Sequence, residues 1–309
     1  MSDEFFIENQ VKFMYGKYYH DIINNYSIKK ENSNNIISVI DCFNIDNLAE
    51  YNNNGTRERL KEFINILKRF WKKDQRDYFI SCNWHDNVHY DKFIITYNRD
   101  FNTINQVIFP LYDYHLPCNL RVIDDRHFNN KQNKIIWRGT STGHDEIQHN
   151  KRYNIISRNF NIHNEIDIGF SNLCQVVYEN NRDSYHRLQK NYIDKNEQLN
   201  YKFILNIEGN DTSSSFPWAL ASNSCPLHNY PFKSETYIFG MKLEPYVHFI
   251  PINNDGSDLV EKYNWCINNL NKCEEIANNG KRYMEKYTRD DLFDEVMVRF
   301  FNLYPKTID

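Results

Sequence analysis

The chain is 309 residues long, enough for one large domain or two ordinary ones with a sizeable core. Its formal net charge of −4 and pI near 6.3 create no basic field, which argues against nucleic acid as a partner. Aromatic residues make up 16% of the chain against 9 Gly and 8 Pro, a composition that packs and does not stay disordered.

Asparagine fills about one position in seven, far above ordinary usage. Together with the richness in Ile, Lys and Tyr, this points to an AT-rich genome, such as that of a virus, and carries no chemistry. Seven cysteines (Cys42, Cys82, Cys118, Cys174, Cys225, Cys266, Cys273) stand at wide spacings without a C-x-x-C pair, so reduced, mostly buried thiols are expected rather than a zinc knuckle. Met1-Ser2-Asp3-Glu4 lacks the basic start and apolar core of a signal peptide. No apolar run approaches the roughly 20 residues of a membrane span. Lys306-Thr307-Ile308-Asp309 is no ER-retrieval signal. A soluble cytoplasmic protein is the expectation.

Up to about Asn54 the sequence is weakly patterned. From Arg57 to Lys73, Leu60, Phe63, Ile64, Leu67, Phe70 and Trp71 share a helical stripe, with Lys68-Arg69 and Lys72-Lys73 as a solvated face. Short apolar runs follow at Tyr78-Phe79-Ile80 and Phe93 to Tyr97, the first ending at Asn83-Trp84-His85-Asp86. Asp124-Asp125 reads as a surface turn, and the polar stretch 129–133 as a domain boundary. Lys134 to Trp137 is predicted as a buried strand, with a turn at Arg138 to Gly143. A helix is then expected from a cap at Asp145 to about Phe160. Tyr201 to Ile207 is a second strand, breaking at Glu208 to Ser215 before a short helix near Trp218. Val247 to Ile252 is a third strand, with His248 inside it as a core histidine. Three helices close the chain, the last from Asp290 to Leu303 with Leu292, Phe293, Val296, Met297, Phe300 and Phe301 on one side.

Two strand-to-loop junctions, Arg138–Ser141 and Gly209–Ser215, share a plan: an apolar strand, a small polar turn, then a helix. Ligands of open parallel sheets bind at such carboxyl ends, and free amides at a following helix favour an anion. Arg138 adds a charge suited to phosphate oxygens. A diphosphate site across both junctions is the chemical expectation, although each alone is also an ordinary structural turn.

The stretch that carries the most specific pattern is Leu243-Glu244-Pro245-Tyr246-Val247-His248-Phe249-Ile250-Pro251. It is preceded by Tyr201-Lys202-Phe203, by Glu208-Gly209-Asn210 with Ser213-Ser214, by Ala221-Ser222-Asn223-Ser224, and by Glu235. Upstream stand Trp137-Arg138-Gly139-Thr140 and then Arg152 and Ser157-Arg158; downstream, Asp258-Leu259, Glu275-Ile276-Ala277 and Gly280. In this order, over roughly Ile135 to Tyr287, the sequence resembles glycosyltransferase family 90, which includes capsule-associated xylosyltransferases and protein O-glucosyltransferases. The resemblance implies an α/β fold of two facing Rossmann-like domains (GT-B type). An acceptor-side domain would span 1–130 and a donor-binding domain 131–287, with a C-terminal helix in 288–309 crossing back to the first.

It also implies an inverting transfer of glucose or xylose from a UDP-sugar to a hydroxyl of a glycan or glycoprotein acceptor. Asp86 is the general base in this reading, with His85 as the alternative. Donor contacts fall to Arg138, Gly139, Thr140, Ser141, Arg152, Glu208, Gly209, Asn210, Thr212, Ser213, Ser214, Ser215 and Glu235, the last at the ribose. No cofactor or metal is expected, and no Asp-x-Asp motif occurs in the sequence. One departure stands out: where many relatives carry an Arg in the glycine loop, this chain has Ser215. A catalytically inactive nucleotide-sugar or carbohydrate binder of the same fold is the rival reading. A dinucleotide oxidoreductase is disfavoured because no G-x-G-x-x-G follows a predicted strand.

Overall fold

The computed structural model describes residues 1–24, 27–29, 36–39, 42, 54–74, 78–82, 93–101, 106–110, 115–123 and 125–308. The chain divides into two compact units. One comprises 1–119, 234–241 and 286–309; the other comprises 120–233 and 242–285.

The second unit contains a five-stranded parallel sheet. Its elements in chain order are β1 (Gln132–Thr140), α1 (Lys151–Asn159), β2 (Ile166–Asn172), β3 (Tyr201–Asn206), α2 (Phe216–Leu220), β4 (Cys225–Asn229), β5 (Ile250–Ile252), α3 (Leu259–Asn268) and α4 (Leu270–Met284). The strand order is β5-β4-β3-β1-β2. Near-continuous apolar runs such as Phe203 to Leu205 are what a parallel sheet covered on both faces requires. Alternation along β1 and β3 sends Ile135, Trp137, Phe203 and Leu205 to one face. There they pack with Ile155 and Ile156 of α1, Cys266 of α3 and Ile276 of α4. Ile136 and Ile204 point to the other face, against Leu199 and Ala219 of α2.

Three local expectations change. The helix after β1 starts at Lys151, not near Asp145. Asn150 is its cap, its side chain accepting from Tyr153 N at 3.0 Å, after a single 3₁₀ turn at Ile147–His149. The third strand begins only at Ile250. Ahead of it Tyr246 takes φ +59°, and His248 lies half-buried in a turn where its Nδ1 accepts from Glu244 N at 3.0 Å. Asp125 is not a surface-turn residue: its carboxylate is 4% exposed and accepts from the buried Lys131 Nζ at 2.5 Å and from Asn223 N at 2.5 Å. Asp124 lies outside the described residues.

The first unit is built on aromatic packing. Helix Asn54–Phe70 buries the predicted Leu60, Phe63, Ile64, Leu67 and Phe70, with Trp71 just beyond it. Helix Asp290–Leu303 buries all six residues of its predicted stripe. Helix Asp3–Tyr15 joins them: the Tyr15 ring stacks on Phe300 at 4.6 Å, and its hydroxyl donates to Phe300 O at 2.7 Å. Gly16 ends that helix at φ +56°, and a Cβ there would strike the Arg99 guanidinium. The described strands of this unit form two-stranded pairs, including parallel Ile94–Thr96 with Gln106–Ile108 and antiparallel Asn98–Asp100 with Ser234–Thr236.

Five of the seven cysteines, Cys42, Cys82, Cys225, Cys266 and Cys273, are buried. No described helix is long and apolar enough to cross a membrane.

Lys131 and Asp125 form a fully desolvated pair, so removing one partner leaves a buried uncompensated charge. Lys131→Met is expected to cost about 3–5 kcal/mol in urea unfolding. The double variant Lys131→Met/Asp125→Asn is expected to recover most of that loss.

Candidate functional site

The strand order makes β1 and β3 the neighbours at which the chain reverses its winding. From β1 it moves outward to β2, and from β3 it moves the other way to β4 and β5. The loops leaving β1 and β3 therefore diverge and open a crevice at their carboxyl ends, the usual ligand position in such sheets.

Arg152, in the first turn of α1, joins the two loops. Its Nη1 donates to Thr140 O at 3.2 Å, Thr140 Oγ1 at 2.9 Å and Thr142 Oγ1 at 2.5 Å. On the other side its Nε and Nη2 donate to Ile207 O at 3.3 and 3.2 Å. The guanidinium lies 5.9 Å from the Trp137 ring centroid. Gly209 makes this approach possible, because a Cβ there would stand 2.9 Å from Arg152 Cζ and 2.8 Å from Thr142 Oγ1.

Glu208 is 1% exposed and its carboxylate is committed within the protein. Oε2 accepts from Lys151 Nζ at 2.6 Å and Asn229 Nδ2 at 3.0 Å, while Oε1 accepts from Lys233 N at 2.6 Å. It thereby ties the ends of β3 and β4 to the start of α1. Lys233 Nζ donates to Asn210 O at 2.7 Å, fixing the glycine loop from the other side. The first turn of α1 carries Lys151 and Arg152 and no acidic residue, a reversal of the usual helix preference. Lys151 is matched by Glu208, so the field that favours an anion in front of this helix comes from Arg152 and the positive helix end.

The other predicted donor residues divide. Thr140 sits with Arg152, whereas Ser141 is fully buried and exchanges hydrogen bonds with the Cys174 backbone, donating to its O and accepting from its N at 2.8 Å each. Gly139 leaves room for the Trp137 indole behind it. Ser213 and Ser215 hydroxyls lie 3.0 Å apart, and Ser215 Oγ donates to Asn206 Oδ1 at 2.7 Å. Ser214 is exposed and Thr212 partly so, its N donating to Asp211 Oδ1 at 2.7 Å.

Arg138 is not available as a fork for phosphate. By strand parity it shares the face of Ile136, and its Nη2 bonds both oxygens of Asp167, at 2.9 and 3.0 Å. Burial works to raise the Asp167 carboxyl, but Lys190 and Arg138 outweigh it and leave it below its ordinary value. Glu235 lies in the first unit, on the strand paired with Asn98–Asp100, and accepts from Arg99 Nε at 2.5 Å. Asp86 and His85 lie outside the described residues.

Lys151 and Lys233 are site residues that sequence reasoning missed. Lys151 had a signal, two adjacent cations in one first turn, which the misplaced helix start concealed. Lys233 follows no periodicity or motif.

The glycosyl transferase family 90 model matches residues 119–309. The chain belongs to this family. It is 27% identical over 180 residues to O-glucosyltransferase LpsA of Dichelobacter nodosus, covering 57% of this chain and 52% of that protein. It is 33% identical over 119 residues to protein 179R of Invertebrate iridescent virus 6, covering 35% of this chain and 10% of that one. Protein O-glucosyltransferase 3 of Homo sapiens is 32% identical over 82 residues, 26% of this chain and 16% of that protein. The family 90 chain thus spans about half of the bacterial relative and much less of the others. A solved glycosyltransferase from Rickettsia africae ESF-5 aligns with a TM-score of 0.37 at 10% identity, over 68% of this chain and 61% of that one, too weak a likeness to bear on the fold.

Gly209→Ala is expected to displace Arg152 and destabilise the second unit by about 1–3 kcal/mol, read as a lower urea midpoint. Acid sensitivity has a separate source beside the site. His228 is 2% exposed, donates from Nδ1 to Asn229 O at 2.7 Å, and is held down to about pKa 4 by burial. The unfolded chain binds that proton near pH 6.5 and the folded chain does not until about pH 4. Stability is therefore full above pH 6.5 and falls as pH drops towards 4. Denaturation of His228→Gln at pH 7 and pH 4.5 is expected to show a smaller drop than the parent, with His115 and His248, both also held down by burial, contributing to what remains.

Proposed function

We propose that this family 90 chain is an inverting glycosyltransferase that moves glucose or xylose from a UDP-sugar to a hydroxyl of a glycan or glycoprotein acceptor. The observation that carries the donor half is the first turn of α1. Lys151 and Arg152 stand at the switch point of a parallel sheet, with Gly209 clearing the approach. The bacterial and human relatives, both named as O-glucosyltransferases, support glucose as one transferred sugar.

In this reading the diphosphate lies against Arg152, Lys151 and the amides of the glycine loop. As the anomeric bond breaks, charge grows on the leaving UDP, and fixed cations and N–H groups stabilise it without reorganising. Asp86 takes the proton of the attacking hydroxyl, with His85 as the alternative base. No metal takes part, a reading that rests on the absence of Asp-x-Asp from the sequence. A second reading, a binder without turnover, draws on Ser215, whose hydroxyl is tied to Asn206 where many relatives place an arginine.

Thermal unfolding with UDP, UDP-glucose and UDP-xylose tests the donor assignment. Ligand at 100 times its dissociation constant stabilises by about 2.7 kcal/mol, a rise of a few degrees. The same rise with GDP- or ADP-sugars and none with uridine nucleotides would remove the donor assignment. Asp86→Asn is expected to keep the donor-induced rise and to lower turnover by about 10²–10⁴. Unchanged turnover in Asp86→Asn and loss in His85→Gln would move the base to His85, and no turnover in the parent with any acceptor would leave the binder reading standing. Transfer that persists in excess chelator is expected.

A further inference from the structure

The loop that brings Thr140 and Thr142 to Arg152 is held on its far side by Gln175. Gly143, the residue after Thr142, donates its N–H to Gln175 Oε1 at 3.3 Å. On the inner side lies Asn150, whose Nδ2 would stand 2.6 Å from a Cβ at Gly143. That same amide donates to Ser141 O at 3.4 Å and to His144 O at 3.5 Å. The loop after β1 is thus seated between Asn150 beneath and Gln175 outside.

Gln175 holds its place in an uncommon backbone conformation. Its φ of +76° and ψ of 164° lie in a region used almost only by glycine, because a Cβ there crowds the flanking peptide groups. The residue is exposed, so core packing does not impose the strain. Its two neighbours in the chain do. Cys174 exchanges two hydrogen bonds of 2.8 Å with the Ser141 hydroxyl. On the other side Gln175 O accepts from Tyr178 N at 3.1 Å and opens the short helix Val176–Asn180. A residue at such a position ordinarily turns a short side chain back onto the helix amides. Among the described residues Gln175 makes no such bond, and its side chain reaches across to Gly143.

A local irregularity of the loop is the ordinary account of a non-glycine residue at positive φ. A glycine at 175 would remove the strain, but it could not reach Gly143. Strain of this kind persists where the surroundings over-determine it, and it clusters at ligand clamps.

We propose that Gln175 is a positioning residue for the donor: its strained backbone aims the side chain at Gly143 and so fixes the loop that receives Arg152. The inference rests on the donor reading above, in which Arg152 meets the diphosphate. The influence passes from Gln175 to Gly143, then through Thr142 Oγ1 to Arg152 Nη1.

The test compares Gln175→Gly, Gln175→Ala and Gln175→Glu in the full chain. Gln175→Gly removes both the strain and the side chain, Gln175→Ala removes the side chain alone, and Gln175→Glu keeps an acceptor for Gly143 N. Thermal unfolding of Gln175→Gly is expected at or above the parent midpoint, because glycine relieves the positive φ. Its UDP affinity by calorimetry is expected to fall about tenfold, and amide exchange over 141–146 to quicken by about the same factor. Gln175→Ala is expected to show both losses with a lower midpoint, and Gln175→Glu to keep exchange slow. A purely structural role would move stability and affinity together. Parent-like exchange or parent-like UDP affinity in Gln175→Gly, affinity lost only in step with stability, or fast exchange in Gln175→Glu overturns the proposal. Failure of UDP to bind the parent would fall on the donor reading. Exchange over 141–146 in Gln175→Gly and Gln175→Glu needs no ligand and still decides whether Gln175 seats the loop.

Discussion

The contact on which the candidate site depends is between the Arg152 guanidinium and the backbone at Gly209. One cation holds the loop after β1 through Thr140 and Thr142 and the loop after β3 through Ile207 O. A guanidinium does this better than an ammonium because its donors point to two sides of one plane. The arrangement needs a residue without Cβ at 209, so the glycine of the Glu-Gly-Asn motif is a steric requirement of the clamp. It does not rest on backbone freedom, since Gly209 is not among the glycines with positive φ.

Glu208 sets the second constraint. A carboxylate with 1% exposure is tolerable only when its oxygens are filled by charged or N–H donors, and Lys151, Asn229 and the Lys233 amide fill them. Asn229 also donates to Asn254 Oδ1 at 2.8 Å, so the same knot reaches the turn after β5. The motif residue expected to touch a ligand is instead the post around which the ends of β3, β4 and β5 are organised. Its neighbours Lys151 and Lys233 are the groups it positions.

The sheet was legible because burial on both faces leaves a signal that survives without tertiary knowledge. Ile135-Ile136-Trp137 and Phe203 to Leu205 have no polar interruption. The stripes of helices Asn54–Phe70 and Asp290–Leu303 were legible for the same reason, through a 3.6-residue period. What could not be read was which of several chemically equivalent residues wins a local competition. Asp145 and Asn150 are both good caps, and only the closing of Tyr153 N on Asn150 decides between them. Arg138 and Arg152 carry the same charge, and strand parity sends the first to Asp167 and leaves the second at the crevice. Asp125 looked like a turn carboxylate because its partner Lys131 is six residues away and both are buried by Asn223 and Ser224 from much later in the chain. Glu235 is matched by Arg99, more than a hundred residues earlier. Spacing within one segment carries no trace of such pairings.

The absent loop arginine becomes intelligible in these terms. At 215 the serine hydroxyl donates to Asn206 Oδ1, while the Asn206 amide donates to Ile204 O at 2.9 Å and Leu227 O at 3.1 Å. The side chain at 215 is thus part of the seam between β3 and β4, and an arginine there would forfeit that bond. The positive charge at the loops comes instead from Lys151, Arg152 and Lys233, set against the carboxylates of Glu208 and Asp211 and backed by the amino-terminal end of α1. Charge fields add regardless of which residue supplies them, so an anion-binding crevice depends on the sum and on the fixed N–H groups rather than on an arginine at one position. Geometry is less forgiving. A lysine reaches one oxygen at a time where an arginine takes two, so the proposed site would hold a diphosphate with comparable charge but fewer paired bonds, and would lean correspondingly on the backbone amides of the glycine loop.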